Sequence, residues 1–122
     1  MKRRAFEKLV AEALAEIPEE LARRLENVDV VIEDEPDPEL LEEMGMDPET
    51  STLFGLYQGV PLTQRDSRYG LVLPDKITIF RFPIEDECES AEQIKAEIRR
   101  TVVHEIAHHF GISDARLREL GY

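Results

Sequence analysis

Residues 104–114, His-Glu-Ile-Ala-His-His-Phe-Gly-Ile-Ser-Asp, constrain this chain more than any other segment. Positions four apart on an α-helix differ by about 40° in direction and about 6 Å along the axis, so a helix puts His104 and His108 on one face. Gly111 can take positive φ and stop that helix, turning the chain back toward the histidine face. The helix has its own start signal, because Ser90 with Gln93 three residues on reads as a capping box. Ile94, Ile98 and Val102 then mark a buried stripe that runs up to His104.

The chemistry follows from that geometry. Two imidazoles on one face can occupy two corners of a zinc tetrahedron. Glu105 sits one residue round the helix, displaced from those corners but close enough to act on a water. Asp114, arriving after the glycine turn, is a candidate third ligand that leaves the fourth position open. Zinc with an adjacent carboxylate base is the minimum equipment for hydrolysing an amide. A blander reading exists: core or surface histidines, with Ser113 as the N-cap of a following helix and Asp114 placing charge in its first turn. His, Glu, His, Gly and Asp should coincide at these spacings by chance with a probability on the order of 10⁻⁵ to 10⁻⁴, which favours the metal reading. His109 lies about 100° from His108 and is read as a supporting or surface residue, not a ligand.

The motif and its surroundings resemble the zincin metallopeptidases, specifically a family of very small zincin-like domains, mostly bacterial. The similarity runs through Phe6 to Ile17, Asn27-Val28, Val31 to Asp34, Gly55-Leu56-Tyr57, Gly59 to Leu62, Leu73-Pro74-Asp75, Ile79-Phe80-Arg81 and His104 to Gly121. The His-Glu-x-x-His-x-x-Gly-x-x-Asp pattern matches without substitution. The resemblance implies a zinc hydrolase fold, with His104, His108 and Asp114 as zinc ligands and Glu105 as the catalytic acid/base. It implies no particular substrate. In zincins generally an edge strand lies above the active-site helix and pairs with an extended peptide; Ile77 to Phe82 is the candidate here, acting by strand addition, while the blander reading is a core strand with Ile77 and Ile79 inward. Only eight residues follow Asp114, and none is methionine. The larger zincins' second subdomain and their methionine turn are therefore not expected, and a partner or a second copy could complete the cleft.

Composition excludes several classes. A chain of 122 residues suits one domain, 1–122, with a modest core. A lone cysteine, Cys88, excludes an internal disulfide and suits a reducing cytosol. The basic start Met1 to Arg4 is followed by Glu7, Lys8, Glu12 and Glu16, which interrupt any apolar run, so neither export nor a membrane span is expected and the chain is read as cytoplasmic. A net charge of −12 argues against nucleic acid as a partner. Nine acidic residues and no basic one lie between Glu33 and Glu49. That run is read first as a solvated loop, and more sharply as an acidic rim attracting basic substrates. Asp34, Asp37 and Asp47 lack the spacing of a dedicated calcium loop.

Along the chain, Phe6, Leu9, Val10, Ala13, Leu14 and Ile17 predict a helix ended by Pro18. Glu19 to Glu26 predicts a second helix, Val28 to Ile32 a strand, and Pro38 to Met44 helical turns closing at Gly45. Thr52 to Val60 reads as a strand weakened by Gly55 and Gly59, and Leu62 to Gly70 as polar and irregular. Leu71 to Leu73 and Lys76 to Phe82 read as extended runs around a Pro74-Asp75 turn. The sum is an α+β domain, a small mixed sheet packed on a long active-site helix with helices at both ends. The expected reaction is zinc-dependent hydrolysis of peptides or extended protein segments. In it Glu105 takes a proton from water and returns it to the leaving amine. Tyr57, Tyr69 and Tyr122 could each help the oxyanion or simply pack. The alternatives are a non-catalytic zinc- or peptide-binding module and a small-amide hydrolase.

Overall fold

The computed structural model of the chain describes residues 1–49, 52–59 and 74–122. Its spine is the motif helix, α5 (Ala91–Phe110), twenty residues long. Ser90 Oγ accepts the Gln93 N–H at 3.2 Å, while Gln93 Oε1 accepts the Glu89 N–H at 2.7 Å. The reciprocal half of the predicted box therefore lands one residue upstream of the cap. Ile94, Ile98 and Val102 are buried as expected, joined by Val103, Ile106 and Ala107. The face carrying His104, Glu105 and His108 is left toward the cleft.

Against that buried face lies α1 (Arg3–Ala15), contributing Phe6, Val10 and Ala13 to the core. Pro18 heads α2 (Glu19–Ala22), which tightens into a 3₁₀ turn over Arg23–Leu25. β1 spans Val28–Glu33. α3 (Pro38–Glu43) has Pro at its start and Asp37 as its cap, whose carboxylate accepts the Glu39 N–H at 2.9 Å. Gly45 follows at φ +78°. The acidic run is thus folded rather than a plain solvated loop. Leu41 is buried, and Asp34 pairs with Arg3 at 3.4 Å and Arg81 at 3.2 Å.

β2 (Gly55–Gln58) and β3 (Asp75–Phe80) complete a mixed sheet of order β1–β3–β2. β1 runs parallel to β3 with Val30 opposite Ile77, and β2 antiparallel with Tyr57 opposite Ile77. This topology corrects two expectations. The run Ile77 to Phe82 is not an edge: β3 is central, hydrogen-bonded on both sides, with Ile77, Thr78, Ile79 and Phe80 all buried. The sequence alternates here, Lys76-Ile77-Thr78-Ile79, yet Thr78 is buried with its neighbours because strands flank β3 on both sides. The strand beside the motif helix is β2, and among the described residues no further strand pairs with its other edge.

The extended run also stops early, because α4 (Arg81–Glu87) begins directly after Phe80. Pro83 falls in its first turn, where no intrahelical N–H is needed. The short α6 (Asp114–Glu119) closes the chain. Among the described residues no helix is long and apolar enough to cross a membrane. Val60, the irregular run Leu62 to Gly70, the strand expected at Leu71 to Leu73, and Tyr69 lie outside the described residues.

Candidate metal centre

One turn of α5 separates His104 from His108, and their ring centroids stand 6.3 Å apart at 66° between planes. His104 and Glu105 are half-buried and His108 is exposed. Gly111 adopts φ +69° and caps the helix, its N–H bonded to the Ala107 carbonyl. Ile112 N–H reaches the same carbonyl at 2.9 Å. The chain then enters α6, where Ser113 Oγ accepts the Arg116 N–H at 3.1 Å and Asp114 is exposed in the first turn. Asp114 thus occupies the helix-start position of the blander reading, on the turn that Gly111 makes. Among the described residues no three His, Cys, Asp or Glu side chains converge as a bound ion would require.

Does the donor set suit zinc? Two imidazoles on one tetrahedral zinc at about 2 Å hold their centroids roughly 5 Å apart. The observed separation exceeds that by an amount that rotation of exposed His108 can supply. Two neutral imidazoles and a carboxylate with an open fourth position are the donor chemistry of a catalytic zinc. The residue types suit zinc, and His104 and His108 stand near the spacing it needs, while Asp114 does not converge with them.

Glu105 is held from the strand side. The Tyr57 backbone N–H donates to its Oε2 at 3.4 Å. Burial pushes the Glu105 carboxyl above the ordinary glutamate range, opposed by that N–H and by His108 and His104. The strand approaches this closely because position 55 is glycine: a Cβ there would lie 2.7 Å from Thr101 Cγ2.

Two clefts flank His104. One, of about 280 Å³, lies between residues 52–55 and the Thr101, His104 and Glu105 side of α5. The other, of about 400 Å³, is lined by Ala96, Arg99, Arg100, His104, Gly121 and Tyr122. Of the three tyrosines singled out in the sequence, Tyr122 therefore borders His104. Tyr57 instead donates its hydroxyl to Asp75 Oδ2 at 2.5 Å. Tyr57 also stacks on His109, with centroids 3.9 Å apart, which gives His109 a supporting place. The sequence reading missed Asp75, taken there as a turn residue; it opens β3 and is only 9% exposed. An acid directly heading an apolar strand was the available signal.

No curated protein matches the chain. A solved structure described as a conserved hypothetical protein from Thermo thermophilus is 27% identical and superposes with a TM-score of 0.56. The match covers 90% of this chain and 94% of that one. A family model described as zincin-like metallopeptidase matches residues 25–122, a span that includes the three described strands, the motif helix and α6. By that match, which takes in the helix face carrying His104, Glu105 and His108, this chain belongs to the zincin-like metallopeptidases.

Proposed function

We propose that this protein is a zinc-dependent peptidase in which His104, His108 and Asp114 hold the metal and Glu105 is the general base. The observation that carries the reading is the placement of Glu105: next in sequence to His104, facing the 280 Å³ cleft, and held by the backbone of a strand. Zinc, when bound, supplies Lewis acidity that acidifies water and polarises a carbonyl. Glu105 accepts the proton of the attacking water and delivers it to the leaving amine. Tyr122 borders His104 from the opposite cleft, and that proximity supports a part for its hydroxyl in steadying the developing oxyanion.

An extended peptide would lie beside β2, pairing with its outward backbone groups while the Tyr57 N–H stays with Glu105. A groove of about 690 Å³ meets the cleft at Thr52, and Glu33, Glu35, Asp37, Asp86 and Glu87 line it together with Leu41 and Phe82. That charge favours basic substrates. A second reading, a non-catalytic binding module, draws support from the exposure of His108 and Asp114.

The test begins with zinc alone. Metal-free protein is reconstituted with one equivalent and dialysed, for wild type, His108→Ala and Asp114→Ala. One retained zinc in wild type, lost in the first variant and weakened in the second, is the expected result. Wild type that keeps no more zinc than His108→Ala sinks the metalloenzyme reading. Glu105→Gln should keep the metal and lose about 10²- to 10⁴-fold in turnover of unstructured basic peptides. Metal binding without any Glu105-dependent turnover favours the binding module.

A further inference from the structure

Tyr57, Asp75 and His109 form a contact set outside the motif, and its geometry bears on Glu105. The Tyr57 hydroxyl donates to Asp75 Oδ2 at 2.5 Å. His109 stacks on the Tyr57 ring at 3.9 Å and 23° between planes. Its Nε2 lies 3.8 Å from the same Asp75 oxygen. Phe110 meets both rings edge-on. Three side chains thus tie together β3, β2 and the last turn of α5.

The backbone on either side of Tyr57 is pressed against that helix. A Cβ at Gly55 would meet Thr101 Cγ2 at 2.7 Å, and one at Gly59 would meet His109 Cε1 at 3.1 Å. Between these two approaches the Tyr57 N–H donates to Glu105 Oε2 at 3.4 Å. That length is at the outer limit of a useful hydrogen bond, so a small lift of the strand would break it. β2 has four residues, and Tyr57 is the one that meets Asp75 through its hydroxyl and Glu105 through its backbone.

We propose that Asp75 is a positioning residue for Glu105: through the Tyr57 hydroxyl, and with the His109 stack, it sets β2 at the height where the Tyr57 N–H holds the carboxylate. The effect on turnover rests on the peptidase reading, whereas the positioning itself does not. A buried acid serving only stability would change the whole sheet. This one acts at the residue whose backbone touches Glu105.

Amide hydrogen exchange on the metal-free full chain separates the two roles. The pair Phe54–Phe80 is hydrogen-bonded, so by alternation the Leu56 and Gln58 N–H groups face β3 and report on the sheet. Tyr57→Phe and Asp75→Ala should speed exchange at residue 57 about five- to tenfold relative to those two amides, with Glu105→Ala marking the ceiling. Asp75→Asn keeps an acceptor and should stay within about twofold of wild type. An unchanged residue-57 amide, equal acceleration of all three amides, or Asp75→Asn as fast as Asp75→Ala would each overturn the assignment. In a peptide assay, Tyr57→Phe should lower kcat about tenfold, with KM and bound zinc held within about twofold. Wild type inert toward every peptide would defeat the peptidase reading and leave the exchange result to decide the positioning.

Discussion

At Gly111 the left-handed backbone is a requirement of a single residue, and it decides where Asp114 goes. A Cβ added there would meet nothing within 4 Å, so the penalty of a side chain is purely conformational. Gly111→Ala should therefore cost about 1 kcal/mol, a fall of roughly 3–5 °C in thermal midpoint. Gly111→Asn should cost less, because asparagine tolerates the left-handed region. If Asp114 is a ligand, Gly111→Ala should also weaken zinc binding, which a titration of both variants checks. At this scale the sequence was informative. A 3.6-residue repeat, a glycine stop and two imidazoles four apart need only helix geometry to be placed, so His104, Glu105 and His108 were legible. Asp75 was not, because its partner Tyr57 lies eighteen residues away on another strand.

Among the elements, the contact that most shapes the cleft is β2 lying on α5 at Gly55 and Thr101. Gly55→Ala forces a methyl to within 2.7 Å of Thr101 Cγ2, with the Thr78 carbonyl oxygen 3.1 Å away. The expected cost is about 1–3 kcal/mol, seen as a lower denaturation midpoint at unchanged slope. Thr101→Ser removes the clashing methyl, so the double variant should recover most of the loss; additive single effects would show that the contact is not the cause. Helix starts and stops were readable here, since Ser90, Pro38, Gly45 and Gly111 act on their own neighbours. Edge and centre were not. Alternation in Lys76 to Phe82 marks a strand wherever it sits in the sheet, and only pairing with β1 and β2 makes it central.

Across the whole molecule, ion pairs fasten the N-terminal region to the motif-bearing C-terminal region. Glu16 meets Lys95 at 3.2 Å and Arg99 at 2.6 Å. Glu20 accepts two hydrogen bonds from Arg116, at 3.0 and 2.5 Å. The Lys95 hydrogen bond holds the Glu16 carboxyl below the ordinary 4.5, and the Arg116 hydrogen bond does the same for Glu20. A carboxyl lowered by folding contributes stability that is complete above its unfolded value and disappears as pH falls through its folded one. Stability should therefore decline as pH drops below about 4.5, and Glu16→Gln with Glu20→Gln should flatten that slope. Denaturant midpoints measured across acidic pH check it; a slope unchanged in the double variant would assign the acid sensitivity elsewhere. Both pairs are solvent-accessible, so added salt should weaken the effect.

What this amino-acid sequence determined alone is whatever depends on residues near one another in the chain: the motif helix with its cap and stop, the α+β class, and the face on which two histidines and a glutamate stand. Helix geometry repeats every few residues, and so does its signature. Only the tertiary structure decided that β3 is buried between two neighbours, that β2 lies beside Glu105, and that Asp75 reaches Tyr57 and His109. Those facts depend on strand order and on approaches between segments distant in sequence, which glycines permit by lacking a side chain and so advertise only weakly.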